Sequence, residues 1–302
     1  MTRVLPFDDE TIAEAARLIA DGQPVAVPTE TVYGLAADAT DGAAVARIYQ
    51  AKGRPAFNPL IVHVPDLAAA ERLAVFDDVS RGLAEAHWPG PLTLVLPARA
   101  DNGIASLVTA GLPTLAIRVP AHPAMRALLA AVGKPLAAPS ANASGRISPT
   151  RAEHVVASLD GRVPLVVDGG ATEVGIESTI ARVVDGRVEV LRLGSIELGA
   201  LTGGEAIVAP GQMAAHYSPS KPLRLDVVAA GADEFLIGFG NVGGDETLSA
   251  SGNPVEAAAK LYDLLHLADA SGQARIAVAP VPDEGLGAAI NDRLRRAATP
   301  TH

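Results

Sequence analysis

The sequence predicts an α/β protein in which helices cover a mixed, twisted sheet, followed by a second and smaller α/β unit. Short apolar runs rich in Val, Leu and Ile alternate along the chain with segments of helical periodicity. Hydrophobic residues make up 49% of the chain but aromatic residues only 3%, so the core must be built from small aliphatic side chains. A length of 302 residues is long for one core and sufficient for two.

Helical spacing and end signals predict the helices of the first two hundred residues. In ETIAEAARLIADG (10–22), apolar residues such as Ile12 and Ile19 recur at helical intervals, two aspartates precede the segment and Gly22 closes it. The same features predict helices over 41–53, 122–134 and 150–161. Runs of Val, Leu and Ile predict strands over 24–28, 59–64, 92–97, 114–120, 135–140, 164–170, 178–184 and 187–194.

A change of composition near Gly203 marks the end of the first unit. The next twenty or so residues are rich in Gly, Pro and Ser without periodicity, and they are longer than an ordinary loop. We therefore predict a first domain over 1–202, a linker over 203–222 and a small α/β C-terminal domain over 223–302. The elements predicted for this last domain are strands over 223–230, 235–240 and 275–282 and helices over 253–272 and 285–298.

Charge and cysteine content limit the function classes. With 24 basic and 34 acidic side chains the formal net charge is −10, which disfavours a protein whose main task is to grip nucleic acid. The absence of cysteine excludes disulfides, thiol nucleophiles and thiolate metal sites. No segment reaches the roughly 18 apolar residues of a membrane span, and the N-terminus lacks a signal peptide, so we expect a soluble, cytoplasmic protein.

Polar residues gather where predicted strands and helices end, which is where open α/β sheets bind ligands. Thr31 follows a strand, Lys52 and Arg54 lie just past a helix, and Asn58 leads into the strand that ends near His63. Each has an ordinary alternative, because threonine suits a turn and cations offset the dipole at a helix C-terminus. Together they place two cations, an amide and an imidazole at one sheet edge.

A second group of polar residues lies along the later strands. Its members are Thr114, Arg118, Ser140, Asn142, Ser148, Ser178 and Arg192. Arg118 stands near the end of an apolar strand, where an unpaired charge is costly, so it needs either an anionic ligand or an internal salt bridge. The serine- and glycine-rich loop after residue 139 suits a phosphate cradle of backbone N–H groups, and it suits an exposed loop equally well.

Five short motifs occur in order along the first domain: PTETVYGL (28–35), KGRPxxNPLIVH (52–63), WPGPLT (88–93), PSAN (139–142) and EST (177–179). Together they resemble the threonylcarbamoyl-AMP synthase family, the YrdC-like proteins. The ordered set is far more specific than any single motif, and it covers nearly the whole first domain. The segment APGQMAAHYSPSKP (209–222) resembles the linker of the family's two-domain branch, with Gln212 inserted before Met213.

The resemblance implies a YrdC-like mixed sheet and a small, Rossmann-like C-terminal domain. It implies an L-threonylcarbamoyladenylate synthase, a nucleotidyltransferase that makes threonylcarbamoyl-AMP and pyrophosphate from L-threonine, bicarbonate or CO2, and ATP for tRNA modification. ATP is then a substrate, accompanied by Mg²⁺ held mainly by phosphate oxygens, with no organic cofactor and no protein metal site. A separate tRNA threonylcarbamoyl transferase complex would consume the product, so neither tight tRNA binding nor membrane binding is expected.

Residue by residue, the resemblance implies three overlapping sets of side chains. The reactive centre would be Lys52, Arg54, Ser140 and Asn142. ATP would be held by Arg54, Asn58, Thr114, Ser140, Ser148 and Arg192, with His216 and Tyr217 from the linker. Threonine would be held by Thr31, His63, Arg118, the backbone at Ala138, and Ser178, with the Arg118 guanidinium on the threonine carboxylate.

Other functions fit parts of the sequence. The domain could be a nucleotide- or RNA-binding module without synthase activity, because a fold does not fix a function. Carbamoyl transfer by a related domain is disfavoured, since such proteins usually carry zinc-finger segments and this chain has no cysteine. The linker is predicted to close over the nucleotide as a lid, and its alternative role is that of a passive tether.

Overall fold

The computed structural model describes residues 1–54, 58–199, 201 and 216–299, which form two β-sheets flanked by helices. The strands of the larger sheet are β1 (Arg3–Pro6), β2 (Val25–Pro28), β3 (Tyr33–Asp38), β4 (Ile61–His63), β5 (Leu92–Pro97), β6 (Thr114–Arg118), β7 (Leu136–Ala137), β8 (Leu165–Asp168), β9 (Thr179–Val184) and β10 (Arg187–Arg192). The helices of this unit are α1 (Asp9–Ala20), α2 (Gly42–Lys52), α3 (Leu67–Leu73), α4 (Asp78–His87), α5 (Ser106–Thr109), α6 (Pro123–Val132) and α7 (Ala152–Leu159). The smaller unit consists of β11 (Leu223–Arg224), β12 (Glu234–Gly238), β13 (Glu246–Thr247), α8 (Pro254–Ala270), β14 (Arg275–Val278) and α9 (Leu286–Ala297).

The larger sheet is mixed, as predicted, with the strand order β1-β8-β2-β3-β7-β4-β6-β5-β9-β10. For example, β4 and β6 run parallel while β5 and β6 run antiparallel. Apolar side chains cover both faces. Along β2, Val25 and Val27 join the cluster that contains α1 and α6, whereas Ala26 joins the cluster that contains α2. This alternation follows from the two-residue period of a strand and places helices on both sides of the sheet.

Every strand predicted for the first unit is present, but the sequence pattern missed β1 and β3. β3 lies inside the PTETVYGL motif and its continuation, and all six of its residues are buried. A strand buried on both faces has no polar alternation to reveal it. The helix predicted over 41–53 is present as α2, but the expectation that Lys52 lies just past this helix is wrong. Lys52 is the last residue of the helix rather than a loop residue, because Gly53 adopts a left-handed conformation (φ 59°) and ends the helix there.

The smaller unit has an all-parallel sheet in the order β11-β14-β12-β13, consistent with the predicted Rossmann-like domain. Its first strand is shorter than predicted. It covers Leu223–Arg224, and Asp226 soon after has a positive φ of 57°, which a continuing strand cannot accommodate. The predicted linker falls mostly on residues 203–215, which lie outside the described residues, so the proposed domain boundaries stay a prediction.

The two units share one apolar cluster. Val32 and Ile176 of the larger unit pack with residues of α8 and α9, among them Leu261 and Ile290. Gly175, at φ 75°, lets the two backbones approach closely, since a Cβ there would stand 2.3 Å from the carbonyl oxygen of Ala258 in α8. The smaller unit is therefore docked on the larger one beside the strand β9. None of the described helices is both long and apolar enough to cross a membrane.

Candidate active site

A pocket opens where β4 and β6 end side by side. His63 and Arg118 are register partners at the ends of these parallel strands, and both line the pocket. Other predicted residues that line it are Thr31, Arg54, Ala138, Ser140, Ser178, Arg192, His216 and Tyr217. The structure thus brings together residues predicted for ATP and for threonine from segments that are far apart in the sequence.

Lys52 lies beside the pocket rather than in its described wall. Its Nζ donates to the backbone carbonyls of Ser140 and Asn142, and the side chain is 2% exposed. Burial, followed by repulsion from Arg54, lowers the pKa of Lys52 well below its usual value. Lys52 therefore ties the end of α2 to the serine-rich loop. Its part in the reaction remains a prediction.

Four further predicted residues are also absent from the pocket wall as far as it is described: Asn58, Thr114, Asn142 and Ser148. The Asn142 amide donates to the carbonyl of Arg146 (2.8 Å) and so shapes the loop, while the Ser148 hydroxyl donates to Glu177. Thr114 begins β6, at the opposite end from Arg118, roughly 13 Å away at the rise of a strand. Their assigned contacts with ATP or with the reacting atoms stay predictions.

Two guanidinium groups line one side of the pocket. Arg54 Nη2 donates to the carbonyl of Pro59 (3.0 Å), and burial lowers the pKa of Arg54 to about 10, which leaves it charged at neutral pH. Arg192 is 5% exposed and donates from Nε to the Ser178 carbonyl and from Nη2 to the Ser178 hydroxyl, both at 3.0 Å. Two fixed cations in a partly enclosed pocket can bind phosphate oxygens.

Arg118 is held in place on the other side. Its Nη2 lies 2.6 Å from Glu30 Oε1, and its Nη1 donates to Thr31 Oγ1 (2.9 Å). Burial favours the neutral acid, but the charge of Arg118, its hydrogen bond and the backbone N–H groups together outweigh burial and lower the pKa of the Glu30 carboxyl. Of the two partners that the sequence left open for Arg118, the structure contains the internal salt bridge. A ligand carboxylate would join an arginine that is already oriented.

His63 presents a neutral imidazole to this side of the pocket. It is 2% exposed, and burial together with the nearby Arg118 lowers its pKa to about 3. Its Nδ1 has no hydrogen-bond partner among the described residues. A buried, unpaired ring nitrogen beside an arginine can accept from or donate to a small polar ligand.

The sequence pattern did not identify the role of Glu177. This carboxylate lines the pocket and accepts from Ser148 and from Tyr262 of α8 (2.9 Å to Oε2), and Arg293 of α9 lies 3.2 Å away. Glu177 stands in the EST motif, which was the available signal. Its partners Tyr262 and Arg293 come from α8 and α9, more than eighty residues later in the chain, and no local sequence pattern links them to Glu177.

The described end of the linker enters the pocket. His216 and Tyr217 both line it, with exposures of 8% and 0%, and their rings meet edge to face at 4.0 Å. Ser218 N donates to the Gly145 carbonyl (2.8 Å), which fixes this segment to the serine-rich loop. The Tyr217 hydroxyl is buried without a partner among the described residues. This end of the linker is therefore part of the pocket wall.

Comparison with known proteins agrees with this arrangement. The Sua5/YciO/YrdC family model, described as "Telomere recombination", matches residues 17–194, and that described as "Threonylcarbamoyl-AMP synthase, C-terminal domain" matches 176–299. The threonylcarbamoyl-AMP synthase of Bacillus subtilis is 39% identical over 99% of this chain and 96% of its own length. The chain belongs to the threonylcarbamoyl-AMP synthase family.

A second relative and a solved structure show the same likeness over nearly the whole chain. The threonylcarbamoyl-AMP synthase of Pyrococcus abyssi is 37% identical over 97% of this chain and 95% of its own length. The crystal structure of P. abyssi Sua5 complexed with L-threonine superposes with a TM-score of 0.90 at 35% identity, covering 98% of each chain. The fold predicted from the motifs is thus confirmed over both units.

One carboxylate lines the pocket in the part of the chain that the structure describes. Among the described residues, no group of three or more His, Cys, Asp or Glu side chains could hold a metal ion. Of the carboxylates described, Glu177 is the one that lines the pocket, and its oxygens are engaged by Ser148, Tyr262 and Arg293.

The neutral state of His63 predicts how stability depends on pH. Between the folded pKa of about 3 and the usual unfolded value of 6.5, only the unfolded chain binds this proton. The contribution of the neutral His63 imidazole to the free energy of unfolding is therefore complete above pH 6.5. As the pH falls from 6.5 toward 3, this contribution is lost at about 1.4 kcal/mol per pH unit. The free energy of unfolding, measured with urea between about pH 7.5 and about pH 5, should therefore fall more steeply with pH for wild type than for His63→Gln. Equal slopes would mean that His63 is protonated in the folded protein.

Proposed function

We propose that this chain is an L-threonylcarbamoyladenylate synthase, which joins L-threonine, bicarbonate or CO2, and ATP into threonylcarbamoyl-AMP with release of pyrophosphate. One observation carries the proposal. A single pocket combines two guanidinium groups suited to phosphates, Arg54 and Arg192, with a third, Arg118, placed beside a neutral imidazole and a hydroxyl. A binding site for a polyphosphate and a site for an amino acid are thereby adjacent, as a joining reaction requires.

The amino-acid end is built from Arg118, Thr31, His63 and Ser178. The guanidinium can pair with the threonine carboxylate, and the neutral imidazole and hydroxyls can hydrogen-bond the amine and side-chain hydroxyl. The likeness to a P. abyssi structure complexed with L-threonine supports this end of the proposal. A neutral His63 suits it, because a second cation beside the ammonium group would repel it.

The ATP end is built from the cationic wall and the serine-rich loop. Arg54 and Arg192 face the phosphates, and the loop that carries Ser140 offers a hydroxyl and backbone N–H groups. His216 and Tyr217 cover the same space from the linker. ATP thus enters as a substrate whose charge the arginines balance, with Mg²⁺ on its phosphate oxygens.

The reaction needs no nucleophilic side chain. The threonine amine attacks CO2 and loses a proton, which gives a carbamate. A carbamate oxygen then attacks the α-phosphorus of ATP, and the bond to pyrophosphate breaks. The protein contributes alignment of the reactants and neutralisation of the charge that builds up on the phosphates. Arg54 is placed for this charge, and Arg118 holds the amino acid that supplies the carbamate.

The product is an activated mixed anhydride and calls for a second protein that transfers the threonylcarbamoyl group to tRNA. The net charge of −10 makes tight tRNA binding by this chain unfavourable, so we assign that step to a separate transferase complex in the cytoplasm. A binding module without synthase activity would keep the pocket but release no pyrophosphate.

The direct test is pyrophosphate release with ATP, L-threonine and bicarbonate, together with detection of the adenylate by mass spectrometry. Release should depend on all three substrates. ATP binding without threonine-dependent release would support the binding module instead. Leaving out each substrate in turn is the control for ATP hydrolysis.

Substrate assignment can be tested with Arg118→Lys. Lysine keeps a positive charge beside Glu30 but loses the planar fork that grips a carboxylate with two parallel hydrogen bonds. We expect the KM for threonine to rise about tenfold and the KM for ATP to change little, because a charge-assisted hydrogen bond is worth roughly 1.5–3 kcal/mol. Equal increases in both KM values would indicate that Arg118 supports the fold without touching threonine.

A further inference from the structure

One carboxylate in the pocket wall is held by the smaller unit. Glu177 is 6% exposed and lines the pocket. The hydroxyl of Tyr262, on α8, donates to its Oε2 at 2.9 Å, and Nε of Arg293, on α9, donates to the same oxygen at 3.2 Å. Both partners have an exposure of 0%, so they reach Glu177 through the interior of the protein rather than across a solvated interface.

The same carboxylate organises the ATP side of the pocket. Its Oε1 accepts a hydrogen bond from the Ser148 hydroxyl. Glu177 also directly precedes Ser178 in the chain, and the hydroxyl and carbonyl of Ser178 accept hydrogen bonds from Arg192. An unpaired carboxylate facing a polyphosphate would repel it. Paired with Arg293, Glu177 can orient Ser148 without adding net negative charge to the pocket.

Residues of the smaller unit also contact the ring of Tyr217, which lines the pocket. The guanidinium carbons of Arg293 and Arg296 lie 5.7 and 5.5 Å from the centroid of the Tyr217 ring. The Tyr262 ring lies 5.6 Å from it. Arg293 and Tyr262 therefore each touch both Glu177 and Tyr217, while neither of them lines the pocket as described.

We propose that Tyr262 and Arg293 are positioning residues of the synthase site, through which the C-terminal unit orients Glu177 and Tyr217 and cancels the Glu177 charge toward ATP. The inference rests on the proposed function and gives the smaller unit a part in nucleotide binding. The groups that face the carboxylate are consistent with it. Burial favours the protonated acid, but Arg293, then Arg192, and then the Ser148 hydroxyl outweigh it and hold the pKa of Glu177 at about 2. Tyr262, Tyr217 and His216 complete its surroundings.

The mildest test is Tyr262→Phe, which removes one hydroxyl and keeps the ring. We expect the KM for ATP to rise roughly tenfold, the scale for losing a hydrogen bond to a charged group, while the KM for threonine changes less than about twofold. The asymmetry is expected because Glu177 accepts a hydrogen bond from Ser148 on the ATP side, whereas Thr31, His63 and Arg118 have no hydrogen bond to it among those described. Ser178, the next residue of the chain, has its hydroxyl bonded to Thr93 and Arg192 rather than to the carboxylate. Arg295→Gln, on the exposed face of α9, is the matched control and should leave both KM values unchanged.

Arg293→Gln tests charge cancellation. It leaves Glu177 buried and unpaired, so we expect a larger rise in the KM for ATP than Tyr262→Phe causes, with partial recovery in the double variant Glu177→Gln/Arg293→Gln. A double variant as impaired as Arg293→Gln would contradict charge cancellation. If Arg293→Gln does not fold, the Tyr262→Phe result decides. If wild type is active, unchanged KM values in Tyr262→Phe, or a fall in the kcat of that variant alone, would overturn the inference. If wild type makes no adenylate, the proposed function itself is wrong.

Discussion

Replacing Arg54 by alanine is expected to lower threonylcarbamoyl-AMP formation by at least about 100-fold, the scale for losing one preorganised charge-stabilising group. Arg54 lines the pocket, remains charged at neutral pH despite a pKa lowered to about 10, and lies where the phosphates of ATP would develop charge. Its described partners are the backbone carbonyls of Asn58 and Pro59 and the Tyr49 hydroxyl, so no buried carboxylate loses a counterion among the contacts described. The fold should therefore survive the change.

Pyrophosphate release and thermal unfolding, measured on the same preparation, check this prediction. Arg126→Ala, at an exposed position of α6, is the matched control for removing an arginine and should retain wild-type activity. A folded Arg54→Ala protein with near-normal turnover would show that the charge at the α-phosphate is balanced elsewhere. Lys52→Ala is less informative, because Lys52 holds the carbonyls of Ser140 and Asn142 and its loss would shift the loop itself.

The sequence was most informative where local pattern and structure coincide. Apolar runs predicted every strand of the larger sheet except β1 and β3. Of the polar residues predicted to meet at one sheet edge, Arg54 and His63 line the pocket. β3 was missed because all its residues are buried and Gly34 interrupts any regular pattern. The short helices α3, α4 and α5 were missed as well. α3 and α5 have only seven and four residues, which offer little room for a helical period to repeat. α4 is longer, but it buries only Ser80 and Ala84, so few apolar side chains mark a buried face in the sequence.

The partners of the charged residues could not be predicted, because they are tertiary. The sequence could say that Arg118 needs an anion, but only the fold places Glu30 at 2.6 Å from it. Likewise, the EST motif draws attention to Glu177 and Ser178 but gives no indication that Arg293, over a hundred residues later, neutralises the acid. Cationic residues were easier to find than the carboxylates that hold them, since motifs record residue types and not contacts.

The second large effect is expected from Tyr217→Ala. Tyr217 has a positive φ of 65°, is fully buried and lines the pocket together with His216, and its hydroxyl is unpaired among the described residues. Its replacement by alanine would open the space above the reacting groups to water. A carbamate and a mixed anhydride are both lost by hydrolysis, so a site that excludes water protects its own product. We expect pyrophosphate still to be released, but with a roughly tenfold fall in intact adenylate per pyrophosphate, which corresponds to a loss of about 1.4 kcal/mol of protection against hydrolysis.

The ratio of the two products makes this prediction specific. A variant that merely loses substrate affinity lowers both products together and leaves the ratio at the wild-type value. Tyr217→Phe separates the ring from its hydroxyl: it should keep the ratio if the ring excludes water, and lower it if the hydroxyl holds the carbamate or phosphates. Shortening the chain to residue 202 is a poorer test, because it uncovers Val32, Ile147 and Ile176 and leaves Glu177 without Arg293. A Tyr217→Ala protein with the wild-type ratio would reduce the described end of the linker to a tether.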